Sequence, residues 1–318
     1  SHKLRGYMVT KQKQGSAARV GRVETTAGAM AVYEYGHGVP LVLLHANAHD
    51  HADYQPVIPA LAEKYRVIAI DAPGHGASAW AFDPAEITAV KIADAQAEVV
   101  ARLGLKRPAF IGNSIGGFTA LRYALKNPGN TRGLVLVNSG GFNSSDLKAK
   151  IFCNLMGFTP VAGALWNLFP QSYLRVKTPH VKKILAKIRA RKNTETVQMF
   201  AAIWKSFLED EHNLLEAAKQ VTAPTLLAWG KRDPVIPLSI GRVAQKCIPH
   251  AQLHVFDSAN AALPGAMHLL DAPPEGVSLE HLVGVFCGSD RDIGIEQPLD
   301  PLFALRRTTD LACPHDRE

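Results

Sequence analysis

Cysteine is scarce in this chain: four in 318 residues, at 153, 247, 287 and 313, with no C-x-x-C pair and no metal-ligand spacing. That excludes a disulfide-stapled small scaffold and a zinc-finger module, and the thiols read as free in a reducing compartment. Long apolar runs are missing too. None approaches the roughly 18 residues needed to cross a bilayer, and the first 30 residues lack the continuous apolar stretch of a secretory signal. Internal repeats and low-complexity tracts are absent. A cytoplasmic location is expected. The basic first residues (Lys3, Arg5, Lys11, Lys13, Arg19, Arg22, with no acid before Glu24) leave organellar targeting open.

What is present is an ordinary enzyme composition, 47% hydrophobic and 20% charged. It excludes disorder and is ample for one large domain with an elaboration. The net charge of +7 is uneven: residues 142–222 hold twelve lysines and arginines against six carboxylates. These cations lack interleaved aromatics and any nucleic-acid motif, so they read as a solvated helix face, and no nucleic-acid partner is expected.

Strand-like and helix-like segments alternate. Apolar strands are expected at Pro40–His45, Arg66–Ile70, Ala109–Gly112, Leu134–Asn138, Thr225–Trp229 and Gln252–Phe256, with helices near Tyr54–Glu63, Ala85–Leu103 and Phe118–Leu125. This βαβαβαβ order predicts an α/β fold with a doubly wound, mostly parallel sheet of the eight-stranded type, whose ligands bind at the carboxyl ends of the strands. The alternation stops after Gly141 and resumes at Ala223. In between, Val181, Ile184, Leu185 and Ile188 share one helix face and Lys182, Lys183, Lys187, Arg189, Arg191 and Lys192 occupy the rest. The expected division is a basic arm over 1–22, a core over 23–141 and 223–286, a helical cap over 142–222, and a tail over 287–318. A lid over the strand ends is the economical role for the cap. A basic helix lying on a membrane surface is the competing, less favoured one.

Chemistry concentrates at Gly112-Asn113-Ser114-Ile115-Gly116, where a short apolar strand meets a helix. A serine between two glycines at such a junction has the layout of a nucleophile elbow, its hydroxyl raised above the sheet edge. A serine hydroxyl needs a base, and the base needs an orienting carboxylate. Asp233, just past the strand Thr225–Trp229 and its Gly230 turn, supplies the carboxylate. His45, His49, Asp50 and His51 cluster as metal ligands can, but their spacing is not that of a metallo-hydrolase, so no metal is expected.

Taken together, Leu43-Leu44-His45-Ala46-Asn47, Asp71-Ala72-Pro73-Gly74-His75-Gly76-Ala77-Ser78, the Gly112–Gly117 elbow and Gly230-Lys231-Arg232-Asp233 resemble the α/β-hydrolase family, in its capped, serine-nucleophile branch. The resemblance spans about residues 24–286. It implies an oxyanion hole from the backbone N–H groups of Asn47 and Ile115, with Ala46 standing where glycine is usual. It also implies a histidine shortly after the last strand. Counting forward from Phe256 lands on Ala261; counting back from Pro274-Glu275-Gly276 lands within a residue of His268, the one histidine between that strand and that helix. The resulting expectation is a cofactor-free serine hydrolase with the triad Ser114, His268 and Asp233. It would cleave an ester or, as Asn113 beside the nucleophile hints, a carbon–carbon bond in a small, largely apolar carbonyl substrate. The alternative is a binding protein of the same fold, or an inactivated variant lacking its histidine at Ala261. Oligomeric state is not legible.

Overall fold

The computed structural model describes residues 8–9, 19–142, 147–175 and 178–256. His268, Ala261 and the tail over 287–318 lie outside them. The described residues build one sheet of nine strands: β1 (Met8–Val9), β2 (Arg19–Thr25), β3 (Gly28–Tyr35), β4 (Val39–Leu44), β5 (Tyr65–Ile70), β6 (Ala109–Asn113), β7 (Gly133–Val137), β8 (Thr225–Gly230) and β9 (Gln252–Phe256). Their order is β1-β2-β3-β5-β4-β6-β7-β8-β9. From β5 to β9 every pairing is parallel, and β1, β2 and β3 join antiparallel at one edge.

The sequence dictates this layering directly. In the central strands β4 and β5 the last four residues are all buried, the signature of a parallel strand covered on both faces. Side chains alternate: Val42, Leu44, Ile68 and Ile70 pack into one core with Ile92 and Val99 of α2 (Ala89–Arg102) and Leu121 of α3 (Ile115–Lys126). Leu41, Leu43, Val67 and Ala69 face the opposite core with Ile58 and Leu61 of α1 (Ile58–Ala62). Each of these valines, leucines and isoleucines contributes roughly 1.5–3 kcal/mol on burial.

The hairpin β2–β3 was not among the expected strands. Arg19, Val20, Arg22 and Glu24 are exposed and only Gly21 and Val23 are buried, so β2 lacks an apolar face to advertise itself. Strand therefore lies inside the stretch expected to be a basic arm, at β1 and again from Arg19 at the start of β2.

Between β7 and β8 lies a helical insertion: α4 (Leu147–Met156), α5 (Thr159–Leu165), α6 (Phe169–Tyr173), α7 (Pro179–Ala190), α8 (Thr194–Ser206) and α9 (Leu215–Ala218). A tenth helix, α10 (Leu238–Cys247), follows β8. Thr178 caps α7 by accepting from the Val181 N–H at 3.1 Å, and Pro179 occupies its first turn. The stripe Val181, Ile184 and Ile188 is buried against Trp166, Val197 and Phe200 inside the insertion. That stripe is therefore not presented to a lipid surface, as the membrane reading of α7 would need. No helix among the described residues is long and apolar enough to cross a membrane.

Candidate active site

Ser114 joins β6 to α3 with φ 55 and ψ −113, a left-handed conformation that costs a non-glycine residue of order 1–3 kcal/mol. Three hydrogen bonds hold it. Its N–H donates to Val137 O at 2.9 Å, and its carbonyl accepts from the N–H groups of Phe118 and Gly140, both at 3.1 Å. The two glycines two residues either side are required by close approach. A Cβ at Gly112 would lie 2.2 Å from Gly116 O, and one at Gly116 would lie 2.1 Å from Leu44 O. The elbow thus wedges α3 against the exits of β4 and β6 and leaves the serine on top.

Ser114, Ile115 and Asn47 line one cavity of about 260 Å³. Ile115 opens α3, so its N–H has no acceptor within the helix. The core contributes Ser139 and Gly140; the insertion contributes Phe152, Cys153, Ile203, Trp204 and Phe207, with Lys148 as the one charged side chain of the wall among the described residues. Burial pushes the Cys153 thiol up to about 11, so it is no thiolate at neutral pH.

Pro234, Val235, Ile236 and Pro237, immediately after Asp233, form a further part of the wall. Asp233 itself is buried. Its Oδ1 accepts from the N–H groups of Val235 (2.7 Å) and Ile236 (2.8 Å), and its Oδ2 accepts from Asn138 Nδ2 at 2.6 Å. Burial pushes the carboxyl up to about 6, although both backbone bonds pull the other way. Asn138 is a residue that sequence reasoning missed. Buried at the end of β7 with φ 39, it also accepts from the Gly230 N–H at 3.1 Å, pinning the turn that carries Asp233. An asparagine directly after an apolar strand, where a left-handed residue is tolerated, was the available signal.

The histidines and acids after β4 do not converge on a common point. His45 donates from Nδ1 to Ala46 O (2.7 Å) and accepts at Nε2 from the Ala72 N–H (2.9 Å); burial lowers its pKa. His51 pairs with Asp71, 2.9 Å from Nδ1 to Oδ1. His49 bridges Asp53 and Tyr173, and Asp50 binds Lys187 and Arg191. The glycine-rich turn after β5 is built around Asp71, which accepts from the N–H groups of His51 (2.8 Å) and Ala77 (2.9 Å). His75, within that turn, does more than shape it. Its Nδ1 donates to Pro73 O at 2.8 Å and its Nε2 lies 3.2 Å from Asn47 Oδ1, with burial driving its pKa down to about 3.

Glu209, Glu211 and His212 bring ligand atoms within 4.8 Å of one another. His212 Nε2, however, accepts from the Val90 N–H at 3.3 Å. The proton of the neutral ring then sits on Nδ1, which presents the carboxylates with a donor rather than a lone pair for a cation.

The profile of a family described as "alpha/beta hydrolase fold" matches residues 39–263. The chain is 28% identical over 245 residues to 2-hydroxy-6-oxo-6-phenylhexa-2,4-dienoate hydrolase of Burkholderia cepacia, covering 70% of this chain and 80% of that protein. It is 28% identical over 267 residues to haloalkane dehalogenase 2 of Mycobacterium tuberculosis, covering 79% and 89%. Among solved structures, a thermophilic esterase from Thermogutta terrifontis matches with a TM-score of 0.66 at 23% identity, over 79% of this chain and 94% of that one. At that identity the likeness speaks for the fold.

Proposed function

This chain belongs to the α/β-hydrolase family, and we propose that it is a serine hydrolase working through Ser114, His268 and Asp233. One observation carries the reading: a strained serine, the first N–H of α3 and Asn47 open onto one largely apolar cavity, beside the turn that holds a buried carboxylate. Ser114 Oγ attacks the substrate carbonyl while the His268 imidazole takes its proton, and Asp233 orients the ring. The N–H groups of Ile115 and Asn47 stabilise the oxyanion. Collapse of the tetrahedral species breaks the bond to the leaving group, which takes the proton from the imidazolium. Water, deprotonated by the same imidazole, then releases the acyl group from Ser114.

The substrate is a small, largely apolar carbonyl compound. Two reactions share this chemistry, ester hydrolysis and cleavage of a carbon–carbon bond next to a ketone. The relatives named as 6-oxo-dienoate hydrolases and Asn113 beside the nucleophile favour the second. The likeness to a haloalkane dehalogenase is not carried over to dehalogenation, because that reaction calls for a carboxylate nucleophile and this chain has serine at position 114. The test is hydrolysis of p-nitrophenyl butyrate and of a 6-oxo-dienoate by the wild type, S114A, H268A and A261H. Loss of activity in both S114A and H268A supports the triad. An inactive wild type rescued by A261H would instead mean that the working histidine is missing at Ala261, the binding-protein alternative.

A further inference from the structure

The loop from the end of β4 to the turn at His51–Tyr54 carries Asn47, and it is held largely by the helical insertion. Asn47 Nδ2 donates to Phe200 O on α8 at 3.4 Å. Ala48 adopts φ 65, left-handed for a residue with a Cβ, and its methyl is buried in the insertion's own apolar cluster with residues of α5, α7 and α8. His49 presents Nδ1 to Asp53 Oδ1 at 2.8 Å and hydrogen-bonds through Nε2 with the Tyr173 hydroxyl of α6 at 2.9 Å. Arg191, at the end of α7, donates from Nη1 to His49 O at 3.4 Å and from Nη2 to Asp50 Oδ2 at 2.5 Å, and Lys187 reaches the same oxygen at 3.2 Å.

We propose that Tyr173, Lys187 and Arg191 are positioning residues for the oxyanion hole, which is complete only while α6, α7 and α8 are seated on the 46–50 loop. The proposal rests on the reading of Asn47 as an oxyanion donor. The physical lever is Asp50. Only 4% of its surface is exposed, and a carboxylate in that setting is stable only with its counter-charges in place. Both counter-charges come from α7. Arg191, the Ala52 N–H and Lys187 together overcome the effect of burial and hold the carboxyl well below its ordinary range. Lifting the insertion therefore strands Asp50 and exposes the cluster around Ala48. The loop then loses the bonds that offset the strain at Ala48, and the Asn47 N–H leaves its place near Ser114. Opening the cavity and dismantling the hole are one event, so the site is competent only when closed over substrate.

The experiment compares the intact wild type with R191Q, R191K, Y173F and, as a control on the outward face of α7, K182A. Two readouts are taken: amide hydrogen exchange over 46–50, and kcat and KM for p-nitrophenyl butyrate. The proposal expects faster exchange over 46–50 in R191Q and Y173F. It expects kcat to fall about tenfold or more in R191Q with KM changed less than about threefold, the mark of an interaction realised in the transition state. R191K should recover part of both, and K182A should match the wild type. Unchanged exchange and unchanged kcat in R191Q would overturn it, as would a variant that loses thermal stability while its kcat stays intact. A wild type that turns over neither p-nitrophenyl butyrate nor a 6-oxo-dienoate removes the hydrolase reading and the catalytic half of this proposal with it. The exchange data then still decide whether the insertion holds the loop.

Discussion

At the scale of the residue, the site depends on a few side chains whose surroundings leave them little choice. Asn138 satisfies Asp233 Oδ2 and the Gly230 N–H at once, so N138A leaves a buried carboxylate oxygen and a buried N–H without partners. A cost of about 2–4 kcal/mol is expected, read as a lower urea midpoint, together with a fall in kcat of tenfold or more. Asp233 also gives the fold a pH dependence of unusual sign. Its carboxyl titrates near 6 in the fold against 3.8 for an ordinary aspartate. The folded state therefore keeps its proton where the unfolded chain has lost it, and stability from this residue falls as pH rises from about 4 through 6, by on the order of 3 kcal/mol. Urea titrations of the wild type and D233N at pH 4 and pH 7 check the sign: the wild type should lose stability relative to the variant on going up, and a relative gain would contradict it. G116A places a Cβ 2.1 Å from Leu44 O. It should lower Tm by about 10 °C or more or abolish soluble expression.

At the scale of the element, burial separates two helices of the insertion, and the more apolar of them is the less buried. Ile184 on α7 is buried, whereas Leu147, Ile151 and Leu155 on α4 are exposed. I184A should cost about 2–4 kcal/mol and I151S less than about 0.5 kcal/mol, measured by thermal unfolding; equal effects would mean that the insertion packs differently. The same contrast explains what was legible in the sequence. β4 to β9 and α3 were readable because continuous apolar runs ended by glycine or a polar residue leave few alternatives, and α7 was readable from its two-faced pattern. β2 was not, because a strand with one solvated, charged face looks like a charged arm. Ser114 and Asp233 stood out because strand-end turns restrict which residues fit there. Asn138 and the contact of His75 with Asn47 did not, since each depends on two loops meeting that are far apart in the chain. The 46–50 loop was legible as a cluster of histidines and acids, but not its partners Tyr173, Lys187 and Arg191, which lie more than a hundred residues away.

At the scale of the whole molecule, the cavity exists only because the insertion closes over the sheet. Its walls come from the β4, β6 and β7 exits, from α4 and α8, and from the β8 turn. At about 260 Å³ it is small for a ligand site, so kcat/KM should fall steeply from p-nitrophenyl butyrate to the palmitate ester; equal rates would point to a wider or open binding surface. The central claim is that Ser114 is an activated nucleophile, and covalent labelling with a fluorophosphonate tests it most directly. The account predicts one adduct per folded chain, mapped to the peptide containing Ser114, absent in S114A and much slower in H268A. A folded wild-type chain that takes up no label, or takes it up elsewhere, would contradict it.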